Sequence, residues 1–115
     1  LQKWYIAVMV WTVETLDQRV DDELGALPND MRAKFVWIAE LIEAKGLPNV
    51  REPYVKPLER GLWEIRMKGR DGIARAIYVT ARSERVIVVR VFRKKSQRTP
   101  RSEIRLALER AAEAK

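Results

Sequence analysis

Residues 62–100 read LWEIRMKGRDGIARAIYVTARSERVIVVRVFRKKSQRTP, three apolar runs separated by short polar breaks. Trp63, Ile65 and Met67 alternate with Glu64, Arg66 and Lys68, and a period of two predicts a half-buried strand. Gly69-Arg70-Asp71-Gly72 then predicts a turn, with Asp-Gly at its end. Ile73–Thr80 predicts a second strand and Val86–Phe92 a third, rich in β-branched residues. Ala81-Arg82-Ser83-Glu84 is the polar connection between them. The stretch therefore predicts an antiparallel meander whose solvent face carries arginine and lysine.

Working outward, Arg93-Lys94-Lys95-Ser96-Gln97-Arg98 predicts a dense cationic loop after the third strand. Thr99-Pro100 supplies a hydroxyl N-cap and a proline for a last helix, with Ile104, Leu108 and Ala111 on one face. Upstream, Tyr54–Leu58 predicts a short strand whose Pro57 suits a sheet edge. Leu47–Pro53 is a loop. Residues 16–27 predict a helix capped by Asp17, with Val20, Leu24 and Leu27 on one stripe. Asn29 or Asp30 caps a longer helix running to about Lys45, with Met31, Phe35, Ile38, Leu41 and Ile42 inward and Gly46 as the stop. So short a link makes the two helices antiparallel neighbours. Residues 1–13 are nearly all apolar, too short for a membrane span, and predict a buried first strand for which residues 10–13 suffice. Met9 can serve as a start, in which case residues 1–8 are an upstream extension. The order β-α-α-β-β-β-β-α predicts one α+β domain over 1–115, a mainly antiparallel sheet with an N-terminal helical hairpin and a C-terminal helix, the helices covering one sheet face.

At 115 residues the chain has room for one core. It has no cysteine and no histidine. That excludes a disulfide framework, a thiolate nucleophile and the commonest general base and metal ligand together. It points to a reducing cytoplasmic location, and no metal or cofactor is expected. The net charge of +7 is unevenly spread: residues 12–50 hold four cations against eight acids, and residues 51–101 hold fifteen against five. A basic sheet beside an acidic helical half fits a polyanion on one side, and equally a solvated basic surface.

Several motifs occur in order: Glu52-Pro53-Tyr54-Val55-Lys56-Pro57-Leu58, then Gly61-Leu62-Trp63-Glu64-Ile65-Arg66, then Gly72-Ile73 with Arg75 and Tyr78. Phe92 with Lys94-Lys95-Ser96-Gln97-Arg98-Thr99-Pro100 and then Glu103-Ile104 complete the set. The combination resembles the phage-derived, HigB-like branch of the RelE/ParE toxin superfamily from about Val10 to the C-terminus. The branch usually has threonine and lysine where this chain has Ser96 and Arg98. It often has His-Gly before the phenylalanine, where Arg90-Val91 stand here. The resemblance implies a RelE-like fold and the toxin of a type II toxin–antitoxin pair. Such toxins cut mRNA on the ribosome without metal, through attack of a ribose 2′-OH on the adjacent phosphate. It implies a cognate antitoxin, commonly with a helix-turn-helix, that binds operator DNA, and no membrane partner.

That reaction needs a base, charge stabilisation at phosphate oxygens and a proton for the leaving oxygen. No histidine is there to serve, and a lysine can act as base only with a lowered pKa. Lys94 or Lys95, crowded by Arg93 and Arg98, is the candidate base or phosphate contact. Arg66 and Arg75, on adjacent strands, are candidates for phosphate stabilisation. Tyr78 could help or merely pack. Lys56, Lys68, Arg70, Arg93, Ser96 and Arg98 are expected to hold RNA backbone. Arg66 could instead pair with Glu64 or Glu84, and Arg75, among apolar neighbours, could be a buried ion pair. Trp63 and Phe92 are expected in the core and Trp37 as packing; Tyr54 could stack a base, although packing is the favoured reading. Two other functions compete: a ParE-like inhibitor of DNA gyrase that cuts nothing, and a basic RNA-binding module without catalysis.

Overall fold

The computed structural model describes residues 10–94 and 97–114. Its elements follow the order β1 (Thr12–Thr15), α1 (Gln18–Gly25), α2 (Asn29–Lys45), β2 (Val55–Pro57), β3 (Trp63–Gly69), β4 (Gly72–Ala81), β5 (Arg85–Lys94) and α3 (Arg101–Ala111). A single 3-10 turn, Leu47–Asn49, links α2 to β2. The five strands form one sheet in the order β1-β5-β4-β3-β2. β1 runs parallel to β5, and every other pairing is antiparallel. This is the expected β-α-α-β-β-β-β-α architecture.

Alternation along the strands divides the sheet into two buried faces. Ile65, Met67, Ala76 and Val88 pack against Val20 of α1 and Met31, Phe35, Ile38 and Ile42 of α2. Ile77, Ile87, Val89 and Phe92 pack against Ile104 and Ala107 of α3. The helices thus lie on both faces, not on one, because the sheet presents apolar side chains in both directions and each face needs a cover.

The strand parity is broken once. Ile77 pairs with Arg90 but Tyr78 pairs with Val88, so Val89 is an extra residue in β5. Val86 and Val88 point toward α2, whereas after the bulge Phe92 points toward α3.

Local signals are met with several displacements. Asp17 caps α1 as expected, accepting from the Arg19 amide. Pro28, not Asn29 or Asp30, is the N-cap of α2, and it makes no side-chain cap bond. Asp30 is used elsewhere: its carboxylate accepts the Arg70 amide at 2.6 Å and ties α2 to the β3–β4 turn. That bond is the main cause of its pKa lying below the usual carboxylate range. β1 begins two residues after Val10, and residues 1–9 of the expected first strand lie outside the described residues. Arg93 and Lys94 are not loop but the last two residues of β5. Trp63 is 38% exposed and is not core, whereas Phe92 is buried as expected.

Arg90 lies on the same side of β5 as Phe92. It joins Glu23 of α1 at 2.7 Å and Glu103 of α3 at 2.6 Å. Arg110 adds a 2.8 Å bond to Glu23 and one to the Val89 carbonyl. These ion pairs clamp both helical layers to β5, and the Glu103 bond is the main cause of the raised Arg90 pKa.

The β3–β4 turn leaves no room beside Gly69. A Cβ there would come within 2.8 Å of Met31 Cγ and of the Asp30 carboxylate. Gly69→Ala is therefore expected to destabilise the domain by about 1–3 kcal/mol, read as a lowered thermal midpoint. An unchanged midpoint would count against this close approach.

Candidate active site

Glu64 of β3 and Arg75 of β4 sit side by side on the α3 side of the sheet, both buried, at 0% and 3% exposure. Arg75 Nη1 lies 3.0 Å from Glu64 Oε2. The Thr99 hydroxyl accepts from Arg75 and donates to the same Glu64 oxygen at 3.4 Å. Arg75 Nη2 donates to the Gln97 carbonyl at 2.9 Å. Sequence reading expected Thr99 to cap α3. The structure gives that cap position to Pro100, with no side-chain bond, because the hydroxyl serves the buried ion pair. Burial is the main influence lowering the Arg75 pKa, and Glu64 opposes it.

This network forms the wall of a cleft of about 600 Å³, also lined by Lys56, Arg98 and Arg101. Lys56 faces Glu64 across β2–β3. Arg66 is the cross-strand partner of Arg75. Its Nε is buried without a hydrogen-bond partner, and among the described residues it pairs with neither Glu64 nor Glu84. Lys94 arrives on the same face from β5, since Ile73 pairs with it and Arg75 pairs with Phe92 two residues away. Its pKa is lowered, first by desolvation, then by the charges of Arg75 and Arg66 and, more weakly, of Lys56. Three of the four expected catalytic residues, Arg66, Arg75 and Lys94, are therefore neighbours on three adjacent strands, and the fourth, Lys95, lies outside the described residues.

The other candidates divide. Lys68 follows Arg66 on the same face and is exposed. Arg70 sits at the exposed β3–β4 turn, 40 positions from the Asp30 that binds its amide. Arg93 donates to the Asp71 carbonyl at the same end of the sheet. Neither lines the cleft. Lys95 and Ser96 lie outside the described residues. Tyr78 is not part of the site: it packs on the α2 side, fully buried, where desolvation pushes its hydroxyl pKa up. Sequence reading missed Glu64 as a site residue. Its signal was present, since Glu64 shares the strand parity of Arg66 opposite the apolar Trp63, Ile65 and Met67.

Among the described residues no group of acidic side chains is arranged to hold a metal. No helix among them is long and apolar enough to cross a membrane. The chemistry on offer is that of guanidinium and ammonium groups in and beside this cleft.

Removing one partner of the buried pair leaves the other charge stranded. Glu64→Ala is expected to cost about 3–5 kcal/mol in urea unfolding. Replacing both partners together, Glu64→Leu with Arg75→Met, is expected to recover most of that loss. Equal destabilisation by the single and the double variant would refute the coupling.

The family described as "Phage derived protein Gp49-like (DUF891)" matches residues 22–112. A double arginine-to-alanine mutant of the Escherichia coli toxin RelE, in the free state, superposes with a TM-score of 0.62 at 16% identity, covering 88% of this chain and 97% of that one. RelE in the archaeal RelE–RelB complex from Pyrococcus horikoshii OT3 gives a TM-score of 0.55 at 21% identity, covering 75% and 97%. The chain thus shares the fold of these RelE structures. No curated protein sequence matches the chain.

Proposed function

Because the chain belongs to the phage-derived Gp49-like family, we propose that it is the toxin of a type II toxin–antitoxin pair, of the HigB-like branch, and a metal-independent endoribonuclease that cuts mRNA on the ribosome. The observation that carries this reading is the convergence of Arg66, Arg75 and Lys94 on one face of the sheet. The likeness to a RelE toxin and to a RelE–RelB complex supports a toxin with a protein antitoxin. A helix-turn-helix antitoxin would carry the pair to operator DNA.

In the proposed reaction the 2′-oxygen attacks the adjacent phosphorus and the bond from phosphorus to the 5′-oxygen breaks. The products are a 2′,3′-cyclic phosphate and a 5′-hydroxyl. Lys94, neutral more readily than an ordinary lysine, takes the 2′-OH proton. Arg66 faces the phosphate oxygens as charge builds on them. Arg75 is held by Glu64, Thr99 and the Gln97 carbonyl, and contributes positive charge from the cleft wall. Glu64, fully buried, positions Arg75 rather than touching RNA. Water in the open cleft protonates the leaving 5′-oxygen. Lys56 and Arg98 border the path of the backbone, and Lys68 extends it. Lys95 and Ser96 complete the motif as proposed contacts.

Arg66→Ala and Lys94→Ala are each expected to abolish growth inhibition and to lower cleavage roughly a hundredfold or more, while the domain stays folded. Primer extension on mRNA after brief induction reads the cuts. Intact mRNA together with gyrase-linked DNA breaks would overturn the nuclease reading.

The pH dependence carries a sign. A lysine base works when neutral, so activity rises with pH through the Lys94 pKa, below the ordinary lysine range. Lys56→Gln removes a neighbouring positive charge that depresses that pKa. The rising limb of the pH–rate profile is then expected to move to higher pH. A shift to lower pH would count against Lys94 as the titrating base.

A further inference from the structure

A second cavity, of about 390 Å³, opens where β2 stops and the edge of β3 runs on alone. Its walls are Lys34, Pro53, Tyr54, Arg66, Lys68 and Ile73. Three are cations, one is aromatic, two are apolar, and none is acidic. The cleft beside Glu64 and Arg75, by contrast, counts Glu59 and Glu64 in its wall and is lined by neither Arg66 nor Lys94. We propose that this cavity is a nucleotide subsite, in which one unstacked base of single-stranded RNA lies on Tyr54 while Lys34 and Lys68 hold the flanking phosphates. The proposal rests on the nuclease reading for the identity of the strand, but its chemistry stands on the cavity.

Tyr54 is fixed from both ends. Its carbonyl accepts the Arg66 amide at 2.8 Å, which ties it to the strand that carries the site. Its ring meets Trp37 edge to face, with centroids 5.1 Å apart and planes at 73°. Trp37 lies outside the cavity wall and is 46% exposed, so it props the ring without filling the space. A pre-ordered ring loses little entropy when a base stacks on it.

Lys34 Nζ lies 4.9 Å from the Trp37 ring and 5.8 Å from the Tyr54 ring. In the free protein this ammonium occupies the place over the aromatic pair by cation–π attraction. An arriving base takes over the Tyr54 face, and the ammonium is left beside the base's own phosphate. Pro53 and Ile73 give the base apolar walls. Aromatic stacking with flanking cations is how proteins hold single strands, because every base has a π-face.

The position fits a strand already engaged in the cleft. Arg66 lines this cavity, and its cross-strand partner Arg75 lines the cleft. Directly opposed residues on paired strands lie about 5 Å apart. A strand with its scissile phosphate near Arg66 and Lys94 can therefore place a neighbouring base on Tyr54. The subsite would set which nucleotide beside the cut is favoured.

The test uses a labelled single-stranded RNA made uncleavable by 2′-O-methyl groups, and the same oligonucleotide with abasic sites at the positions flanking the cut. Fluorescence anisotropy is measured with the wild-type protein, Tyr54→Phe and Tyr54→Ala. The expected result is about tenfold weaker binding on losing either the bases or the Tyr54 ring, with little further loss when both are removed and near-wild-type binding for Tyr54→Phe. Lys34→Gln and Lys68→Gln keep the aromatic pair, and each is expected to lower the salt dependence of log K by about 0.7. Losses that simply add, or a Tyr54→Ala affinity equal to wild type, would overturn the subsite even if cleavage assays succeed. Conversely, a chain that cuts no RNA but shows this coupling would lose the nuclease reading and keep the subsite.

Discussion

Glu64 and Arg75 share a buried ion pair, and much of the site depends on it. In a low-dielectric interior two opposite charges attract strongly, yet taking both from water is costly. The balance becomes tolerable here because Thr99 and the Gln97 carbonyl supply further hydrogen bonds to the same groups. The pair therefore does more than join two strands. It draws Gln97–Thr99 down onto the sheet, and so sets the distance between those residues and β3. A hydrophobic pair of the same volume would fill the space but would leave the Gln97–Thr99 segment without a polar anchor.

The basic half of the chain is not uniformly basic once folded. Arg85 is neutralised by Glu14, Arg90 by Glu23 and Glu103, and Arg101 by Glu59. Among the described residues no ion pair engages Arg66, Lys68 or Lys94. Carboxylates from β1, α1, α3 and the β2–β3 link thus act as selective counter-charges. They reach β5 and the start of α3, and leave positive charge on the β3 side of the sheet. A field left open in one place is a more useful steering device than a charge spread over the whole surface.

The sheet was readable from residues 62–92 because two-residue alternation and an Asp-Gly turn are local signals. The helices were readable from their apolar stripes and from Gly46. What sequence reading misplaced were the short polar side chains. Asp30 and Thr99 look like helix caps by position, and both are recruited by partners 40 and 24 residues away. Local competition between a cap and a tertiary acceptor cannot be decided from spacing alone. Glu64 was passed over for a related reason. An acid in a cationic stretch reads as a surface charge until its burial against Arg75 is known. Arg93 was grouped with its cationic neighbours, yet strand alternation aims it away from Lys94. Tyr78 likewise shares a strand with Arg75 but lies on the opposite side of the sheet.

The extra residue at Val89 acts as a parity switch. Counted straight from Val86 and Val88, every even-numbered residue of β5 would face α2, and Lys94 with them. The inserted residue reverses the count, and the ammonium emerges beside the two arginines instead. The assembly of this cationic trio is therefore decided by chain length in one strand as much as by residue type. A descendant that lost Val89, Arg90 or Val91 could keep every side chain of the motif and still turn its lysine to the wrong side of the sheet.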